Sequence, residues 1–559
     1  MPDAAIEPDS NSERSGTVDG PEPPTVGAEV IEDPRRGGHR PIGRVISDDI
    51  SPTFFDVRFR LNPDCRTTPG RFVAIEAEAE NGREVLLLAR VQNLHEVNPH
   101  EDAAASTLRE VLPFGTSYAP EGASTVIYRV AEAEPLEEAV LDEKGEAEEI
   151  RAVATMPLAG ACVYEAGPNL TIAALGLRDT PEEGLDMGMA YGSADIPVIP
   201  AKEVIQRHVF IGGGIGSGKS YTRGVLAEEL CAWGVPQVNI DVNGEMRQAT
   251  EELGGHNLVP GQDGFTLPLS ALSPADVVEA VPSINPGTNM ETLLRFSHET
   301  LLREVAMGTR KHFGVAELVD RIEESAMRLE MTVGSGDERR PDRRTVEPTK
   351  LRTRSLERLP FLGAPFDWPE ELRPGAMINI DCTGMPLSEL RLICASVARD
   401  LQQLARQRAI PFTVLSIDEF HLVAPADDSA VTTQVLREIA RVGRHYRLGL
   451  ILTTQSPSDV DRSILKRLLT RFLHAIEPDQ LDALRGVFSD ASQDLIRTLP
   501  KLPQGVCVLT GAFETVRHAT LLQVRERRTT HGGATPDIFG DLAAEGWPEK
   551  RLLAGGKDG

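Results

Sequence analysis

The chain has 559 residues, more than a single hydrophobic core serves, so about two to four domains are expected. Apolar residues make up 40%, but no apolar run is long enough to cross a bilayer, so no membrane span is expected. With 85 acidic against 58 basic residues and only nine lysines, the chain carries a formal charge of −27 and suits a high-salt cytoplasm, as in a halophilic archaeon. A high-GC genome is the plainer source of the arginine bias; the acidic excess favours salt.

Taken in order, residues 1–40 are rich in Pro, Glu, Asp, Gly and Ser and read as disordered. They hold no apolar signal-peptide core, which points to a cytoplasmic protein. From 41 to 97 short apolar alternations ("FDVRFRL", "RFVAIEAEA", "EVLLLARVQNL") are broken by turns and predict a small β-barrel or sandwich. Further strands are predicted at "TVIYRVA" (125–131) and "GPNLTIAALGL" (167–177), with an acidic, exposed stretch at 132–150. From 200 strands and helices alternate. "HVFIGG", "PQVNIDV", "MINIDCT", "FTVLSIDEF" and "LGLILTTQ" read as strands, with helices at "SYTRGVLAEELCAWG", 386–408 and 431–442. That alternation predicts a parallel sheet covered by helices, an α/β fold. Residues 271–360 show helical spacing instead. The expected division is a tail at 1–40, a β domain at 41–180, an α/β core at 195–270 and 361–525, a helical insertion at 271–360, and a C-terminal tail at 526–559.

Inside the insertion, 339–358 carries eight basic and three acidic residues. It offers a contact to nucleic acid or a neighbouring subunit, or is a solvated linker or an ion-paired helix start. The six cysteines show no C-x-x-C spacing, so neither a zinc ribbon nor a disulfide framework is expected.

"FIGGGIGSGKSYT" contains G-x-x-x-x-G-K-S/T from Gly213 to Ser220, between a predicted strand and helix. Gly213, Gly214, Ile215, Gly216, Ser217 and Gly218 form a loop whose amides can turn inward on phosphate. Lys219 reaches the β/γ-phosphates, the Ser220 hydroxyl is a Mg2+ ligand, and Tyr221 follows in the helix start. ATP with Mg2+ is the expected cofactor. "TVLSIDEFHLVAP" places Asp418 and Glu419 at a strand end. There an aspartate holds Mg2+ through water and a glutamate polarises the attacking water. A second strand ends in Asp241 and Glu245, and its "GE" lines the site, lines a DNA-facing loop, or closes an ordinary turn at Asn243-Gly244. In "GRHYRLGLILTTQ", Gln455 ends a buried strand and can reach the γ-phosphate or water. Arg444 precedes that strand and so lies at its far end. It can serve a phosphate only if another subunit brings one.

These motifs, with "IDVNGE", "REIARVGRHYRLGLILTTQSPSDVD" and "LPKLPQGVCVLTG", resemble the HerA family of DNA translocases and helicases, in the FtsK–HerA group of P-loop ATPases, over about 41–530. The resemblance implies a RecA-like core, an N-terminal HAS-barrel, and a hexameric ring that hydrolyses ATP and pumps double-stranded DNA. It implies a NurA-type nuclease as partner and a role in DNA end resection and double-strand break repair. By motif position it makes Arg207 a cis arginine that senses the nucleotide and Arg444 the trans arginine finger. The chain departs from the family pattern D-x-H-G-E-Y/F at Asn243 and Met246, and from Q-R-P-S at Ser456. Two other readings share the core motifs: a secretion or conjugation motor, and a nucleotide-gated scaffold for a nuclease that does not translocate.

Overall fold

The computed structural model describes residues 40–48, 51–97, 128–142, 145, 147–262, 264–334, 339–426, 431–485, 493–511 and 516–532. The tail expected at 1–40 lies outside them except for Arg40, and the C-terminal tail is described only to Gly532.

Seven strands form the N-terminal sheet: β1 (Gly43–Val45), β2 (Val57–Leu61), β3 (Phe72–Glu78), β4 (Glu84–Val97), β5 (Tyr128–Leu141), β6 (Ala147–Ala152) and β7 (Cys162–Glu165). Their order is β2-β1-β7-β3-β4-β5-β6, and β2 also pairs with β5. The extra pairing closes six strands into a barrel and leaves β6 outside on β5. Closure removes exposed sheet edges. The long strands β4 and β5 follow the curve through register shifts at Leu88/Ala89 and Val91/Asn93. Alternate residues such as Val57, Phe59 and Leu61 point inward and are buried.

Two sequence expectations are corrected here. The stretch 132–150 is exposed only in part: most of it forms β5 and β6, and β5 is largely buried while Glu148 and Glu149 of β6 are exposed. Glu138 is fully buried. It accepts bonds from Arg151 Nε (2.6 Å) and from the N–H groups of Ala154 (3.0 Å) and Thr155 (2.8 Å). Burial pushes its carboxyl up, but these donors outweigh that and hold it below the ordinary value. Partners this remote in sequence are invisible to a reading of local charge. Residues 168–175 are likewise a helix, α1 (Pro168–Leu175), not a strand. Pro168 sits at its first position and Gly176 ends it with φ 71°. The apolar run between them fits either period, and the caps decide it.

The second sheet has eleven strands. In chain order they are β8 (Gly188–Ala190), β9 (Ser193–Pro197), β10 (Val209–Gly212), β11 (Gln237–Asp241), β12 (His256–Leu258), β15 (Met377–Asp381), β16 (Thr413–Ile417), β17 (Leu448–Thr454), β18 (Thr470–Leu473), β19 (Val506–Thr510) and β20 (Thr520–Val524). The order is β12-β15-β11-β16-β17-β10-β18-β19-β20-β8-β9. The strands from β12 to β18 run parallel, and those from β19 onward are antiparallel. The parallel strands are buried on both faces, which explains their unbroken apolar runs: every residue of β16 and β17 is buried. The antiparallel extension was not expected from sequence; β8 reaches it from just after the barrel.

Helices α2 (Lys219–Ala232), α3 (Asn289–Ala306), α4 (Val315–Arg328), α5 (Arg343–Thr353), α6 (Leu387–Arg406) and α7 (Val431–Val442) cover or extend the sheet. Helices α3 to α5 lie in the region read as helical, with a short hairpin of β13 (Thr332–Val333) and β14 (Arg340–Pro341) between the last two. In the basic stretch, Lys350 pairs with Glu323 (2.6 Å) and Arg352 donates to the Ser283 carbonyl (2.8 Å). One apolar cluster joins Leu294, Leu301 and Leu318 of these helices to Ile240, Leu415 and Leu452 of the sheet. Another joins Leu86 and Leu88 of the barrel to Ile211, Phe472 and Leu522. His518 Nε2, 2.9 Å from Glu137, adds a polar tie between barrel and sheet. All six cysteines are free, and no helix among the described residues is long and apolar enough to cross a membrane.

Candidate nucleotide site

The parallel strands β10, β11, β16 and β17 end together, and the loops that follow them meet there. Gly213 to Gly218 loop from β10 into α2. A Cβ on Gly213 would lie 2.5 Å from Ser217 Oγ and 2.6 Å from His474 Cβ, so only glycine fits. Gly218 has φ 115° as the chain turns into the helix. Ser217 Oγ and Lys219 Nζ both donate to the Gly214 carbonyl (2.8 and 3.0 Å), so the loop closes on its own donors. Ile215 is exposed at its tip. Burial pulls the Lys219 ammonium below its ordinary value, while Glu419, Asp418 and Glu245 pull it the other way.

Asp418 follows β16 and is saturated with partners. Its Oδ1 accepts from Thr453 Oγ1 (2.7 Å) and the Glu419 N–H (3.0 Å), and its Oδ2 from Asn243 Nδ2 (3.3 Å). Arg223 Nη1 lies 3.5 Å from the same Oδ2. Glu419 holds a left-handed backbone, φ 42° and ψ 50°, which is costly for a residue with a Cβ. Its carboxylate accepts the Gln455 N–H (3.2 Å) and lies 3.2 Å from His421 Nδ1, which is also 3.0 Å from Thr454 Oγ1. The structure therefore brings Lys219, Asp418, Glu419 and Gln455 to one end of the sheet.

The turn after β11 belongs to the same site. The buried Asp241 accepts from the N–H groups of Gly244 (3.1 Å), Glu245 (3.2 Å) and Met246 (3.0 Å). This pins the turn so that Asn243 reaches Asp418 and Glu245 takes a hydrogen bond from the Ser220 hydroxyl. The "DVNGE" segment is thus a turn at Asn243-Gly244 that also stands beside Ser220 and Asp418.

Among the described residues no group of three or more His, Cys, Asp or Glu side chains is arranged to hold a metal. The donors present, the Ser220 hydroxyl and the Asp418 carboxylate, are hard oxygens. That small set fits Mg2+, which keeps several waters and takes its other ligands from substrate phosphates.

Arg444 lies on the exposed turn Gly443–Tyr446 before β17, and β17 separates it from Gln455 by roughly 20 Å. Arg207 corrects an expectation. It ends the turn Lys202–Arg207 that enters β10, whereas the P-loop leaves the other end of that strand. Four residues of strand, about 13 Å, stand between them, so Arg207 is not placed to sense its own subunit's nucleotide. It lies instead at the Arg444 end. His208 ties the Arg207 turn to the segments flanking Arg444: its Nδ1 accepts the Leu450 N–H of β17 (3.1 Å) and its other nitrogen bonds the Ile439 carbonyl of α7. Burial lowers His208 to about 4, which keeps it neutral for this double role.

Tyr221 faces the C-terminal segment rather than a partner on the P-loop. Its hydroxyl accepts the Arg527 N–H (2.7 Å), and the His531 ring packs edge-on against it. Residues 525–532 strap down α2. Glu228 on that helix takes bonds from Arg525 Nη1 (2.8 Å), the N–H groups of Arg528 (2.9 Å) and Thr529 (2.8 Å), and Thr529 Oγ1 (2.7 Å). Burial raises the Glu228 carboxyl, but the donors prevail and its value falls below the ordinary 4.5. A depressed carboxyl stabilises the fold above pH 4.5 and loses that contribution as pH falls through the lower folded value. Glu228→Ala is expected to cost about 3 kcal/mol in denaturant unfolding at pH 7, with the difference from wild type shrinking in acid. An equal difference at pH 7 and pH 3 would contradict this account.

Sequence reasoning missed Thr453, His421, Arg223, His208 and the strap, because each acts through a contact distant in the chain.

The family described as "Helicase HerA, central domain" matches residues 185–401. The DNA double-strand break repair helicase HerA of Sulfurisphaera tokodaii is 23% identical over 370 residues, 64% of this chain and 72% of the relative. Its counterpart from Sulfolobus acidocaldarius is 21% identical over 345 residues, 60% and 68% of the two chains. The solved structure of VirB4 of Thermoanaerobacter pseudethanolicus aligns at a TM-score of 0.49 with 17% identity, covering 63% of this chain and 99% of that one. The matched residues 185–401 include the P-loop, so this part of the chain is similar to the central domain of helicase HerA.

Proposed function

We propose that this protein is an ATP-driven DNA translocase or helicase that forms a ring on double-stranded DNA and works in break repair with a partner nuclease of the NurA type. One observation carries the reading. Lys219, Ser220, Asp418 and Glu419 gather at one end of the sheet while Arg207 and Arg444 stand at the other. Each subunit then offers a site to one neighbour and arginines to the next, which a closed hexameric ring satisfies.

Mg2+ would be held by the Ser220 hydroxyl and, through water, by Asp418, and would neutralise phosphate charge there. Lys219 binds the β/γ-phosphates, and loop amides cradle them at the start of α2. Glu419, fixed by its strained backbone and the Gln455 N–H, orients the attacking water and accepts its proton. Gln455, at the end of β17 beside Glu419, would contact the same water. A ring also resolves a charge conflict: a subunit of −27 repels DNA on open surfaces, and salt weakens phosphate contacts, whereas an enclosed duplex cannot diffuse away.

The test is ATP turnover at high KCl with and without linear duplex DNA. Translocation predicts stimulation by DNA. Turnover indifferent to DNA would overturn it and leave the nucleotide-gated scaffold.

A further inference from the structure

Arg223, one turn into α2, is 2% exposed. Its Nε donates to Ser416 Oγ (3.1 Å), but neither Nη1 nor Nη2 has a hydrogen-bond acceptor. A guanidinium has five N–H donors, and buried ones are normally filled. Here the unfilled end points at Asp418, with Nη1 3.5 Å from Oδ2. Around it stand Glu245, whose charge Arg223 offsets, and Arg527 of the strap, whose charge it opposes. A purely structural arginine would fill its donors. This one supplies charge beside the carboxylate that the nucleotide reading assigns to the metal.

We propose that Arg223 is the resident counter-cation of the metal position, balancing Asp418 when no metal–nucleotide complex is bound and opposing the divalent ion when it arrives. Thr453, Asn243 and the Glu419 N–H give the buried Asp418 neutral donors but no opposite charge, so Arg223 stabilises the empty site. The same fixed charge repels a second cation across a few ångströms of low dielectric. Arg223 is thus a positioning residue that limits how strongly Mg2+ and nucleotide reinforce each other. The proposal rests on the P-loop reading of the site.

The experiment measures binding of a fluorescent non-hydrolysable ATP analogue to the full chain in EDTA and in saturating Mg2+. The readout is the ratio of the two dissociation constants. Arg223→Met and Arg223→Gln are expected to raise that ratio about tenfold over wild type, because the metal no longer meets a fixed charge. Arg223→Lys, which keeps the charge, should stay within about threefold. Where the methionine variant does not fold, the glutamine variant, which retains a donor for Ser416, carries the test. An unchanged or smaller ratio in the neutral variants overturns the proposal. So does an equal loss of affinity in both conditions, which would mean that Arg223 holds phosphate directly. Wild type that fails to bind the analogue in Mg2+ would instead overturn the nucleotide reading beneath it.

Discussion

Glu419→Gln is expected to lower ATP turnover about 10³-fold while nucleotide affinity and thermal stability stay near wild type. The substitution preserves shape. A glutamine oxygen can still accept the Gln455 N–H, and the strained φ of 42° is no worse for an amide than for a carboxylate. What disappears is the ability to take a proton from water. Binding should survive, because the phosphate contacts come from Lys219 and the loop amides. The check pairs single-turnover hydrolysis with equilibrium binding of the fluorescent analogue. Turnover within tenfold of wild type would mean that another carboxylate, Glu245 being the nearest candidate, serves as base. A parallel loss of binding would mean that Glu419 organises the site and does not act on water.

Arg444→Ala is expected to reduce turnover by about 10³-fold, in the range an arginine finger supplies, and to do so in trans. Arg444 is exposed, and β17 separates it from the site of its own chain. Removing it should leave nucleotide binding by isolated subunits intact. The decisive measurement mixes two inactive variants. Lys219→Ala subunits lack a working site but keep Arg444; Arg444→Ala subunits have the reverse defect. In a mixed assembly some interfaces pair an intact site with an intact arginine, so part of the activity should return. If no mixing ratio restores hydrolysis, the trans role falls. Arg207→Ala should behave as Arg444→Ala does, because both turns lie at the same sheet end and His208, next to Arg207, bonds α7 and β17 on either side of the Arg444 turn. Rescue of Arg444→Ala but not of Arg207→Ala would separate them.

Much of this was legible in the chain itself, wherever function depends on neighbouring residues. The glycine spacing before Lys219-Ser220 implied a phosphate loop, since backbone wrapping and side-chain reach are local. The apolar runs of β16 and β17, each ending in polar residues, identified buried parallel strands and the loops at their tips. The direction of β17 alone was enough to send Arg444 and Gln455 to opposite ends. Applied to β10, that logic would also have moved Arg207, which motif position had assigned to its own nucleotide.

Tertiary structure decided what depends on pairing across the chain. Glu138 and Glu228 look like surface acids until Arg151, Arg525 and Thr529 arrive from other segments. The run at 168–175 suits helix or strand by period, and its flanking Pro168 and Gly176 resolve it only once the backbone is traced. Asn243 read as a departure from a family pattern, yet its amide bonds Asp418 across 175 residues of sequence. Arg223 carried no signal at all, because a basic residue on an amphipathic helix is ordinarily solvated. Its meaning lies in burial, which removes the water that would have screened its charge and leaves Asp418 as the group it must balance.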